Sequence, residues 1–164
     1  MNFIQLALAF AVGIAALWIV NSIFQSIMNK KNGIAEHNTA TATFQAGIVL
    51  ATTVILSSTI GPGMNAFRFL TQGQFDIMNI AWAIAFNLFF ILIGLVMTIL
   101  VIAAGIISFF TITHINEWEA LKNNNIPVAI LTASVVIGLA FLLKDFVGHF
   151  CEALIPYPEV MNVN

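Results

Sequence analysis

The chain has 164 residues, 60% of them apolar and 7% charged, with a net charge of −2 and a mean hydropathy of +1.01. A soluble domain carries about a quarter of its residues as charges, so this composition excludes a water-soluble globule and indicates an integral membrane protein. Five Lys and Arg in all leave no nucleic-acid footprint, and a lone cysteine, Cys151, excludes intramolecular disulfides and cysteine-based zinc sites.

No charge precedes Lys30, and Phe3 to Met28 holds thirteen Ile, Leu, Val or Phe residues. At roughly −0.3 to −0.6 kcal/mol each on the insertion scale, they outweigh Gln5, Asn21 and Gln25 and make span one. The run has no basic start, exceeds a signal-peptide core and lacks a clear small-x-small cleavage site, so it reads as a retained helix. Span two is expected from Thr39 to Ile60, ending before "GPG" at Gly61–Gly63. The next uncharged stretch, Ile77 to His114, would be about 55 Å long as one helix, against a hydrocarbon core of about 30 Å. Span three is therefore placed at Phe89 to Thr113. The "IMNIAWAIAFN" before it, with Asn79, Trp82 and Asn87, is either an interfacial segment or a helical extension into the headgroups. Span four is Ile126 to Leu143.

The two halves are related at a constant offset of 87. Asn38 falls on Asn125, Ala42 on Ala129, Ala46 on Ala133, Val49 on Val136, Gly61 on Gly148 and Ala66 on Ala153. The expected fold is thus all-α, with four transmembrane helices arranged as a tandem repeat of two-helix units. The units are 1–75 and 76–164; each crosses twice, so both have the same orientation, and short interfacial helical segments join them. Lys30, Lys31 and Lys122 follow spans one and three, whereas Arg68 and Lys144 lie on the other side. Three against two puts the odd loops in the cytoplasm and both termini outside.

"AEHNTATATFQAGIVL" and "HINEWEALKNNNIPVAI" resemble the helix-start motifs of the YjfL-like bacterial inner-membrane proteins, catalogued as a domain of unknown function (DUF350). The closing "EALIPYPEV" is also similar to the ending of many members. The resemblance covers nearly the whole chain. It implies a multi-pass bacterial inner-membrane protein of four spans and two units, oligomeric, with genes associated with envelope-stress proteins of the phage-shock type. It brings no catalytic residues. Ile126 and Pro127 stand where the first half has Thr39 and Ala40, so the two helix starts are not strictly equivalent.

Several side-chain groups carry possible chemistry. Asp145, His149 and Glu152, spaced i, i+4, i+7, share one helical face and would be the candidates for a divalent metal or a proton relay. Nineteen residues, about 28 Å of helix, separate Asn125 from Leu143, so the same charges fit a helix leaving the membrane as an amphipathic interfacial segment. Asn38 and Asn125 are read as caps for backbone N–H groups at helix starts, with a shared anion or lipid phosphate as the alternative. Trp118 in "HINEWEALKNNN" is read as an interfacial anchor, in a segment that equally suits a soluble partner's docking surface. Span two is dense in Thr, Ser and Gln. Gln45, Thr52 and Ser57 either support close helix packing or line a water-filled pathway in an oligomer.

No Ser/His/Asp arrangement or phosphate-binding Gly loop is present, so no enzyme activity and no cofactor are expected. The expectation is a non-enzymatic, oligomeric scaffold or partner-recruiting component embedded in the lipid bilayer, as a homo-oligomer or as a subunit of a larger membrane assembly. The alternative is a small oligomeric channel or transporter with a pathway lined by span two. A third reading is a membrane enzyme using a metal at Asp145, His149 and Glu152.

Overall fold

A computed structural model describes the backbone of residues 3–32, 38–71, 77–113 and 115–155. Among the described residues the chain is helical and has no strand. It forms α1 (Phe3–Asn32), α2 (Thr39–Thr71), α3 (Ile77–Thr113), the short α4 (Glu117–Lys122) and α5 (Ile126–Ala153). Three of these are long and apolar enough to cross a membrane: α2 over Thr39–Leu70, α3 and α5. The apolar part of α1 with described side chains is the shorter Gly13–Asn29. The protein is membrane-embedded, since long apolar helices with lipid-like outer faces have no other solvent.

Two expected boundaries are corrected. Span two does not stop before Gly61–Gly63; α2 runs through Pro62 to Thr71. Proline removes the N–H that would bond the carbonyl four residues back, here that of Ser58. Backbone from a second helix covers that oxygen: a Cβ on Gly148 of α5 would lie 3.2 Å from it, so only glycine allows this approach without a shift. From the next helix, Asn87 Nδ2 donates to Gly63 O at 3.2 Å. Neighbours of this kind are what let Pro persist inside membrane helices. The helix that holds span three begins ahead of Phe89. α3 is one helix of 37 residues from Ile77, about 55 Å, which realises the helical extension. Likewise α5 continues past Leu143 to Ala153 without a break.

α2 is the central helix, touching α1, α3, α4 and α5, and its contact with α5 is the most extensive in the molecule. The two run parallel. Ala40 meets Asn124 at their starts, Gly47 meets Ala133, Ser58 meets Gly148, and Asn65 meets Glu152 at their far ends. The close approach at Gly47 is set by missing atoms: a Cβ there would sit 2.6 Å from Ala133 Cβ. Small residues at crossings let helix backbones touch where lipid provides no hydrophobic drive. Gly105 does the same for α3 against Val136 of α5.

α1 contributes a stripe at four-residue spacing, Ala16, Val20, Phe24 and Met28, to the core. Its remaining face is open, with Phe10 72% and Trp18 70% exposed. Phe24 makes an edge-on contact with Phe44 of α2, ring centroids 5.3 Å apart, and a tilted one with Trp118 of α4 at 6.2 Å. Among the described side chains, the ring contacts of α1 thus lie in its C-terminal half.

Candidate functional site

The polar residues of α2 mostly turn back on their own helix. Thr43, Thr52, Thr53, Ser57, Ser58 and Thr59 each donate a hydroxyl proton to a carbonyl three or four residues earlier. Such back-bonding satisfies a hydroxyl in lipid without any water. Thr52 is fully buried in the bundle. Gln45, half-buried, donates through Nε2 to Asn21 Oδ1 of α1. Of the three residues considered for a pathway, one is thus buried and one is bonded across α1. Only Ser57 is exposed.

At the helix starts, two segments far apart in sequence cap each other. Asn38 Oδ1 accepts from Thr41 N at 2.9 Å, and its own N–H donates to Thr41 Oγ1 at 3.0 Å. Its Nδ2 reaches Leu121 O in α4 at 2.8 Å, while Asn124 Oδ1 accepts from Ala40 N in α2 at 2.9 Å. Asn124 holds a left-handed φ of 56°, which Asn tolerates better than most residues. Asn125 caps α5 from Val128 N at 3.3 Å, and Asn116 caps α4. Trp118 is half-buried against Phe24, and Leu121 is buried, so α4 packs its apolar side inward. Glu36 and His37 lie outside the described residues.

At the opposite end, Asp145, Gly148, His149 and Glu152 of α5 face Ser58 and Pro62 of α2 across an open cleft. Asp145 pairs with its neighbour Lys144 at 2.8 Å, an exposed contact of little energetic consequence. Glu152 Oε1 accepts from Asn65 Nδ2 at 2.9 Å. Among the described residues no group of three or more His, Cys, Asp and Glu converges tightly enough to hold a metal ion. Asp145, His149 and Glu152 share a face, as their spacing requires, but Asp145 pairs with Lys144 and Glu152 with Asn65.

A second concavity lies between α1, α2 and α3, with a volume of about 180 Å³. Leu56, Ile60, Met64 and Phe67 of α2, Leu17 of α1 and Ile91 of α3 line it. Sequence reasoning missed this groove and also the roles of Asn21 and Asn87. The available signal was an amide inside an apolar run, which needs a partner when no water is near. Asn87 lies on the groove wall, half-buried, where its Nδ2 bonds Ala83 O as well as Gly63 O.

The family model described as Domain of Unknown Function (DUF350) matches residues 1–143, most of the chain. The chain belongs to the DUF350 family. No curated protein and no solved structure matches it. The DUF350 match takes in α1 to α4, every residue lining the groove, and α5 as far as Leu143. It stops one residue before Lys144, so Asp145, His149 and Glu152 all lie beyond it.

Proposed function

We propose that this DUF350 protein is a non-enzymatic, oligomeric scaffold of the bacterial inner membrane, with four spans built as two related two-helix units. The observation that carries the non-transport reading is the disposition of the polar side chains of α2. Its hydroxyls bond their own backbone, Gln45 is held by Asn21 and Thr52 is buried, which leaves little of span two to line a pathway. Residues with this bonding serve packing.

The two-unit reading is supported by the pair Asn65 and Glu152. They are separated by 87 positions, the offset at which the halves align, and they bond directly across α2 and α5. Residues that are equivalent in a duplicated unit meet in this way on the axis relating the two copies. Oligomerisation is supported by the outer face of α5, where Ser134 and Gly138 are exposed four residues apart and nothing lies within 4 Å of a Cβ at Gly138. Such spacing suits a close-packed helix from another copy. Recruitment of a soluble partner would fall to the exposed ends of the bundle. The odd loops are placed in the cytoplasm by their lysines.

Native mass spectrometry of the protein released from nanodiscs tests the scaffold reading. A defined oligomer is expected, weakened when Gly138 is replaced by Leu. A strictly monomeric particle at every concentration would sink the proposal. Ion flux from proteoliposomes that changes with Gln45→Leu would replace it by the pathway reading.

A further inference from the structure

We propose that the groove between α1, α2 and α3 is a binding site for one acyl chain of an anionic phospholipid, whose phosphate is held at Arg68. This rests on the membrane-embedded character of the helices and is independent of the oligomeric reading.

The groove follows α2 from Thr53 to Phe67. Fourteen helical steps make about 21 Å, which is half of a bilayer about 40–45 Å thick with its headgroups. It therefore has the length of one leaflet. Its volume of about 180 Å³ is more than ten times what a single water requires, so it is a slot for a chain. α1 forms one wall with Gly13, Ala16 and Leu17, and the Phe24 contacts that anchor α1 lie at least seven residues further along the helix.

The wall chemistry selects a hydrocarbon. The polar atoms that reach the groove already have partners: Thr53, Ser57 and Thr59 donate to Val49, Val54 and Leu56 carbonyls, and Asn87 donates to Ala83 and Gly63. A polar ligand would find few free donors there, whereas Leu56, Ile60, Met64 and Ile91 offer continuous apolar contact. Charge then selects the headgroup. The stripe Thr53, Ser57, Ile60, Met64 continues at helical spacing to Arg68, which is exposed at the end of α2. A guanidinium at the groove's mouth matches a lipid phosphate in charge and geometry.

The test uses the full-length protein in vesicles of phosphatidylcholine and phosphatidylglycerol, with trace lipid carrying a photoactivatable diazirine in mid-chain. Labelled positions are read by peptide mass spectrometry. Labelling is expected to concentrate on Leu56, Ile60, Met64 and Ile91, above the exposed Phe141 and Leu142 of α5. Ser57→Phe, which fills the groove, should reduce groove labelling to the α5 level without changing labelling of α5 itself. Met64→Trp is a second filling variant should Ser57→Phe fail to fold. Arg68→Gln should reduce the preference for the phosphatidylglycerol probe over the phosphatidylcholine probe by about fivefold, the effect of one basic residue at an anionic surface. Equal labelling of groove and α5 in the parent protein, or groove labelling that survives both fillings, means annular lipid and overturns the site. Cross-linking of groove residues to a second copy overturns it equally. A headgroup preference untouched by Arg68→Gln overturns the anionic assignment.

Discussion

Gly47→Ala is expected to destabilise the protein, although alanine is the better helix former. The added Cβ would lie 2.6 Å from Ala133 Cβ and 3.1 Å from Ala133 Cα. Carbon atoms pack at about 3.5–4.0 Å, so α2 and α5 must separate by about 1 Å at their crossing. No rotamer relieves this, because every clashing atom is backbone or Cβ. Overpacking of this kind costs about 1–3 kcal/mol, and the helix-propensity gain returns about 1 kcal/mol, leaving a net loss of up to about 2 kcal/mol. The lone Cys151 is buried in α5, so its reaction with a fluorogenic maleimide during a temperature ramp in mild detergent reports unfolding. At about 2–4 °C per kcal/mol for a chain of this size, Gly47→Ala should lower the midpoint by up to about 8 °C. Gly13→Ala, with open space at its Cβ, carries only the propensity term and should leave the midpoint unchanged or raise it. Ala133→Gly placed beside Gly47→Ala should remove the 2.6 Å contact, leaving the 3.1 Å approach to the Cα, and make the two changes non-additive. Equal behaviour of Gly47→Ala and Gly13→Ala, or strict additivity with Ala133→Gly, would refute the close α2–α5 crossing.

In the same assay Asn124→Ala should cost about 2 kcal/mol, about half from the left-handed φ of 56° and half from the lost cap on Ala40 N; Asn124→Gly should recover only the backbone half. Gln45→Leu should cost about 0.6–1.7 kcal/mol by leaving Asn21 without its partner, and adding Asn21→Leu should recover most of that loss.

Much of the helical layout was legible because lipid removes alternatives. An uncharged apolar run in a chain of this composition has to close its backbone hydrogen bonds internally, so α2, α3 and α5 follow from charge-free stretches. The asparagines before α2 and α5 were legible for the same reason, since N–H groups at a helix start need an acceptor. The errors cluster at Gly61–Gly63 and at the start of α3. Gly and Pro are breakers in water, and a 55 Å helix exceeds the bilayer core, so both rules argued for a stop. The first failed because of neighbours: Gly148 brings α5 onto the Ser58 carbonyl, and Asn87 bonds Gly63 O, so α2 continues; α3 extends ahead of Phe89 as one unbroken helix. The groove was invisible for a related reason. Its wall residues Leu17, Met64 and Ile91 come from three helices, and nothing in any one helix signals that α1 leaves space beside the other two.

By itself the sequence determined the solvent, the helical class and the starts of α2 and α5, because composition and local polarity answer those questions residue by residue. Tertiary structure alone decided which helices touch. That choice depends on the shape of facing surfaces, as where Gly47 lacks a Cβ opposite Ala133 and Asn65 meets Glu152. It also decided the fate of the polar residues in span two. A hydroxyl at Thr52 or an amide at Gln45 has the same composition whether it faces water or a neighbouring helix. Only the arrangement that buries Thr52 and sets Gln45 against Asn21 separates the two cases, because a hydrogen bond depends on where its partner lies.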